Sequence, residues 1–160
     1  MELTPEKYIR LKRIINNCKA LCKSSNPFEL CKILNIKIYF LPLENGLFGF
    51  ADISSSDEQP LKSKATIFIS SCVSSYAQKI ICAHELGHIL LQRDQSLNLL
   101  DSSNPANSIS EYEANLFAIE LLPQIYIGVK DYRCLSREEL YNYMIKKLSH
   151  TFFTLKSDNT

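Results

Sequence analysis

Between Thr4 and Lys23 apolar side chains recur every three or four positions: Tyr8, Leu11, Ile14, Ile15, Cys18, Leu21 and Cys22. That period predicts an amphipathic helix, with Thr4 as its cap and Pro5 in the first helical position. SSNPFELCKIL predicts a second, short helix capped by Asn26. The period then drops to two. In NIKIYFLPL, Ile36, Ile38 and Phe40 alternate with Lys37, Tyr39 and Leu41, the pattern of a strand. Asn45-Gly46 predicts a turn and LFGFADI a strand returning from it. SSSDEQPLKSK reads as a polar loop, and ATIFIS, residues 65–70, as a third strand rich in β-branched and aromatic residues. A long helix is expected over 73–92, then a polar, turn-rich stretch from Asp94 to Asn107. A helix over 108–122 closes at Pro123. The last clear helix, Ser136 to Leu148, opens on the capping box Ser136-x-x-Glu139 within a C-terminal helical part, 136–160. The expected layout is a single domain over 1–160, with N-terminal helices 4–34 and a sheet 36–70, and without repeat or linker.

Composition adds limits rather than identity. At 46% hydrophobic and 22% charged, 160 residues suit one soluble globular domain. The formal net charge of +1 selects no partner. No apolar run is long enough to span a membrane, and MELTPEKYIRLKR lacks the apolar core of a secretory signal. A cytoplasmic location is the resulting expectation, with the six cysteines (none in a C-x-x-C pair) as reduced thiols. The first helix carries Lys7, Arg10, Lys12, Arg13, Lys19 and Lys23 on its polar side. Without aromatic or Gly-rich company this reads as a solvated face, so direct nucleic-acid binding is not expected.

One segment breaks the apolar pattern for a chemical reason. In IICAHELGHILL, residues 80–91, the only ionisable side chains are His84, Glu85 and His88. Ile80, Ile81, Ala83, Leu86, Ile89, Leu90 and Leu91 surround them, and a helix apolar on all sides is buried. H-E-x-x-H places both imidazoles one turn apart on one helix face, the spacing of a zinc site whose Glu serves as general base. Two core histidines and a salt-bridged glutamate are the plain alternative. It leaves three ionisable groups in an apolar helix, a cost that a divalent cation removes.

A catalytic zinc site needs a third ligand and an open position. His150 is the remaining histidine, far along the chain, and no third histidine follows the motif at short spacing. SISEYEANLFAIELLP offers Glu111 and Glu113 instead, each of which also fits a capping box with Ser108 or Ser110. Glu111 shares its face with Ala114, Asn115 and Ala118, which lets a neighbouring helix approach; Glu113 shares its face with Phe117 and Glu120. Glu111 is therefore the expected ligand, Glu113 the alternative, and Asn115 a candidate to hold a liganding histidine by its second nitrogen.

HELGH followed by EYEANLFAIELLP, with NPFELCKILNIKIYFLPL and ATIFIS upstream, resembles the ImmA/IrrE family of zinc metallopeptidases over roughly residues 25–125. The helix ends Leu121-Leu122-Pro123, one residue shorter than the family's usual L-L-M-P, and the last 35 or so residues match loosely. The resemblance implies an α+β, gluzincin-like fold: a small twisted sheet of three or slightly more strands packed on an active-site helix and a glutamate-bearing helix. It implies His84, His88 and Glu111 as metal ligands and Glu85 as the catalytic base. It further implies a site-specific endopeptidase of a bacterial or mobile-element regulatory system, cleaving a helix-turn-helix repressor. Zinc is the expected ion, although the donors also accept Mn2+ or another divalent metal. The competing expectation is a non-catalytic, metal-containing docking module of a toxin–antitoxin-like pair.

Two further expectations concern substrate. ATIFIS is the candidate edge strand for an extended peptide. Tyr76, Tyr112 and His150 have the right residue type to donate to an oxyanion, although a packing or surface role explains each better.

Overall fold

The computed structural model describes residues 2–44, 46–54, 64–92 and 104–157, without the side chains of 54, 64, 92 and 150–157. The polar segments expected at 54–64 and 94–107 therefore lie largely outside the described residues, as does the His150 side chain.

Helix α1, Pro5–Cys22, starts where the sequence places it: the Thr4 hydroxyl accepts from the Lys7 amide, and Pro5 occupies the first turn. It stops at Lys23, whose left-handed backbone (φ 53°) cannot continue a helix. Helix α2, Pro27–Ile33, is capped by Asn26, and Asn35, also left-handed at φ 56°, turns the chain into β1, Lys37–Leu41. Strands β2, Gly49–Ser54, and β3, Lys64–Ser70, complete the sheet.

The sheet order is β1-β3-β2, with β1 parallel and β2 antiparallel to β3. Two expectations fail here. Asn45 of the expected turn lies outside the described residues, but the strands on either side of it form no hairpin, because β3 lies between them. ATIFIS is not an edge strand, since both of its edges are paired. Burial explains both outcomes. Ala65, Ile67 and Ile69 of β3 are almost wholly buried, whereas Tyr39 and Leu41 of β1 and Phe50 and Ile53 of β2 are exposed. The strand with most to hide takes the centre. The connection from β1 to β2 passes the end of β3, where Ser70 and Ser71 amides donate to the Phe48 and Leu41 carbonyls, each at 2.8 Å.

Helix α3, Ser75–Gln92, packs on the inner face of the sheet, and α4, Ile109–Leu121, packs along α3. Both are buried nearly all round; Leu86, Ile89, Leu116, Phe117 and Ile119 have no appreciable exposure. Helix α5, Arg137–Ser157, runs well past Leu148, the end that the sequence pattern marks clearly. It opens with the expected box: the Ser136 amide donates to the Glu139 carboxylate, and the Glu139 amide to the Ser136 hydroxyl.

The basic side of α1 is not simply solvated. Lys7 pairs with Glu113 of α4 at 2.7 Å. Lys12, Tyr8 and Tyr132 all donate to the buried Glu120 carboxylate at 2.6–2.7 Å, and Lys19 donates to the Glu120 carbonyl. Burial would raise the Glu120 carboxyl, but these three donors outweigh it and hold its pKa below the ordinary value. Three of the six cations expected to face water, Lys7, Lys12 and Lys19, instead strap α1 to α4, whereas Arg13 and Lys23 are exposed as expected. The six cysteines are free thiols. Among the described residues, no helix is long and apolar enough to cross a membrane.

Candidate metal centre

Helix α3 passes under β2 at very short range. A Cβ at Gly49 would lie 2.5 Å from Ile81 Cγ2 and 2.8 Å from the Phe68 carbonyl, so only glycine lets strand and helix meet there. On the other side of α3, a Cβ at Gly87 would lie 3.0 Å from Phe117 Cβ and 3.2 Å from Ala114 Cα. The glycine of HELGH and the alanine of EYEAN are thus the contact through which α3 and α4 approach. This approach brings a carboxylate from α4 up to the imidazoles of α3.

His84 Nε2 and His88 Nε2 lie 3.1 Å apart. Glu111 closes the triangle, with Oε2 3.3 Å from His84 Nε2 and Oε1 3.1 Å from His88 Nε2. Among the described residues, His84, His88 and Glu111 form the group of donors able to share one ion, all within 4.8 Å of one another. Two neutral imidazole nitrogens and one carboxylate are a donor set suited to zinc and to other divalent first-row metals. The residues present fit such an ion. Burial opposes charge on His84, but Glu111, Glu85 and Asn115 hold its pKa above the ordinary 6.5. Burial likewise works to raise Glu111, and the hydrogen bonds from both histidines reverse this, leaving its carboxyl well below the usual range.

Each ring has a second partner. The His84 ring hydrogen-bonds the Asn115 side chain, and His88 Nδ1 lies 3.3 Å from the Ser110 hydroxyl. Partners of this kind fix ring orientation and tautomer. Asn115 is where the helix-face reading places it. Ser110 was readable only as a possible cap, yet the cap is Ser108, whose hydroxyl accepts from the Glu111 amide at 3.2 Å. Ser110 reaches His88 instead.

Glu113, the alternative ligand, is not in the cluster. Two residues on from Glu111, it points about 200° round the helix, where its carboxylate meets Lys7 on α1. Glu85 is buried beside the triangle, outside the donor set. Burial pushes its pKa up; His84 and His88 oppose this, and the Ala51 amide of β2 donates to its carboxylate. Sequence patterns do not show that link, because it depends on β2 rather than β3 lying at the sheet edge.

The cluster opens into a cavity of about 240 Å³, lined by His84, Glu85, Glu111 and Asn115 together with Gly46–Gly49, Ile80, Ile81, Pro105 and α5. Of the tyrosines considered as oxyanion donors, Tyr112 is spent on the Leu135 carbonyl at 3.2 Å, and Tyr76 does not line the cavity. Tyr141 of α5 does, with Met144, Ile145 and Leu148. Its i, i+3, i+4, i+7 spacing to those three was the readable signal.

Comparison with known proteins gives the same direction. No solved structure matches the chain. A protein of Bacillus phage phi105, named uncharacterized immunity region protein 2, is 29% identical over 117 residues, covering 72% of this chain and 69% of its own length. The model of the IrrE N-terminal-like domain, peptidase M78, matches residues 31–124, more than half of the chain and every residue of the triangle. By that match, on an α+β fold carrying these three donors, the chain belongs to the IrrE N-terminal-like family of M78 peptidases.

Proposed function

We propose that this protein is a zinc-dependent, site-specific endopeptidase acting in the cytoplasm on a helix-turn-helix repressor of a phage-like regulatory system. The observation that carries the hydrolase reading is the convergence of His84, His88 and Glu111 on one point, with the buried carboxylate of Glu85 beside it in the lining of a cavity. The repressor reading draws on the family resemblance and on the word immunity in the name of the phage relative.

When bound, the divalent ion would polarise a water and the scissile carbonyl. The chain's own groups supply the rest. His84, His88 and Glu111 hold the ion, with Asn115 and Ser110 orienting the imidazoles. Glu85 accepts the proton of the attacking water and delivers it to the departing amine. Burial raises its pKa above that of a free carboxylate, which makes it the stronger proton acceptor. Tyr141, which lines the same cavity, is the residue whose hydroxyl would donate to the developing oxyanion. The substrate backbone adds to β2, the sheet edge that borders the cavity and whose Ala51 amide holds Glu85.

The test is incubation of the zinc-loaded protein with the helix-turn-helix protein encoded nearest to it, products being read by mass spectrometry. One discrete cut, absent with Glu85→Gln although that variant retains zinc, is the expected result. An intact partner under the same conditions, or cleavage by Glu85→Gln, would refute the assignment.

A further inference from the structure

We propose that the cavity beside the triangle is the pocket that selects the substrate residue next to the scissile bond, and that it takes a large apolar side chain read by helix α5. The proposal deepens the peptidase reading and rests on it.

The cavity's lining is of two kinds. His84, Glu85, Glu111 and Asn115 are polar and already engaged with one another or with β2. Ile80 and Ile81 from α3 and Met144, Ile145 and Leu148 from α5 form an apolar wall, joined by Tyr141. Among the described residues no lysine or arginine lines it, and its carboxylates are Glu85 and Glu111. A charged side chain entering there would be desolvated without a partner, which is strongly unfavourable. A glycine or alanine would leave the wall wet and gain nothing from it. At about 240 Å³ the space falls below the roughly 300–1,000 Å³ of sites that enclose whole small molecules, so it suits a single large side chain of a chain that continues outside.

Position makes this a specificity element rather than a stray void. The same cavity touches both the donor triangle and Glu85, so whatever fills it lies immediately beside the reacting carbonyl. The wall is contributed largely by α5, Arg137–Ser157, which lies wholly beyond the family-matched segment 31–124. The donor triangle thus lies inside the family-matched segment, whereas the larger part of the wall lies outside it.

The experiment uses the zinc-loaded protein and three small probes that share one metal-binding group, glycine, leucine and phenylalanine hydroxamate, with affinities measured by calorimetry. Burial of the isobutyl group should make the leucine probe at least about tenfold tighter. Ile145→Phe, which fills the half-buried margin of the wall, should remove that preference and leave glycine hydroxamate within about twofold of wild type. Ile145→Ala should shift preference the other way, toward phenylalanine hydroxamate over leucine hydroxamate, and it covers the case in which the larger residue impairs folding. Equal affinities for glycine and leucine probes on a zinc-loaded protein would overturn the pocket and leave the metal centre standing. So would an unchanged ratio in both variants. A protein that takes up no zinc and binds none of the probes would overturn the pocket and the peptidase reading together.

Discussion

Replacing Gly87 by alanine pits two effects of opposite sign against each other. In an exposed helix the change stabilises by about 1 kcal/mol, because alanine loses less backbone freedom on folding. Here the added methyl would meet Phe117 Cβ at 3.0 Å, Phe117 Cγ at 3.1 Å and Ala114 Cα at 3.2 Å. Neither neighbour can yield readily. Ala114 presents backbone, and Phe117 is wholly buried among α3 and α4. Overpacking of this kind costs about 1–3 kcal/mol. The balance is a net loss of about 1 kcal/mol, a fall in melting temperature of roughly 2–4 °C for a chain of this size. The effect on metal should be larger than the effect on folding. The methyl is relieved by moving α4 outward, and Glu111 rides on α4 while both histidines ride on α3, so a displacement of a few tenths of an ångström opens the 3.1 and 3.3 Å sides of the triangle. The assay is thermal unfolding followed by circular dichroism, with and without excess zinc. The wild type at about a thousandfold excess over its dissociation constant should gain about 4 kcal/mol from the ion, and Gly87→Ala should gain clearly less. A variant that melts higher than wild type and keeps the full zinc increment would refute the view that the glycine exists for helix approach.

The other predictions concern single carboxylates and one hydroxyl. Glu111→Ala should lose most of the zinc bound by wild type on elemental analysis, whereas Glu113→Ala should keep it, because Glu113 serves Lys7 instead. Glu120→Gln should destabilise by roughly 2 kcal/mol at neutral pH, the value of a buried charged acceptor with several donors, with Lys12 counting for little because it is 41% exposed. The folded-state pKa of Glu120 is depressed, so its contribution is fully present above the ordinary 4.5 and is lost as pH falls through the folded value. The gap in denaturant midpoint between wild type and Glu120→Gln should therefore hold from pH 7 to about 5 and close below 4.5; a constant gap down to pH 3 would count against this linkage. Tyr141→Phe should lower kcat with little change in KM once a substrate is in hand, and an unchanged kcat would remove the hydroxyl from the chemistry.

How much of this could be read from the chain alone differs from element to element. The motif helix and the placing of Glu111 rather than Glu113 beside the two histidines were legible in periodicity and in the small residues on the Glu111 face, since a helix fixes direction every 100° and two residues of difference reverse it. Asn115 was readable for the same reason. The sheet was not. Alternation marks a strand but carries no information about which strand lies beside which, so the turn at Asn45-Gly46 suggested a hairpin although β3 comes between. Everything that depends on the sheet order went with it: the edge strand, the Ala51 amide on Glu85 and the glycine at 49. The basic face of α1 was misread at Lys7 and Lys12, because composition cannot tell a solvated lysine from one reaching a buried carboxylate 106 or 108 residues away.

The two sides of α4 are more closely linked than their chemistry suggests. Glu111 faces the imidazoles, while Glu113 and Glu120, on the opposite side and two turns apart, are gripped by Lys7, Tyr8 and Lys12 of α1. A helix held at two points along its back cannot spin about its own axis. α1 thus works as a rotational stop for a donor it never touches. It sets the angle at which the third carboxylate meets the histidines, in the way a keyway sets the angle of a shaft.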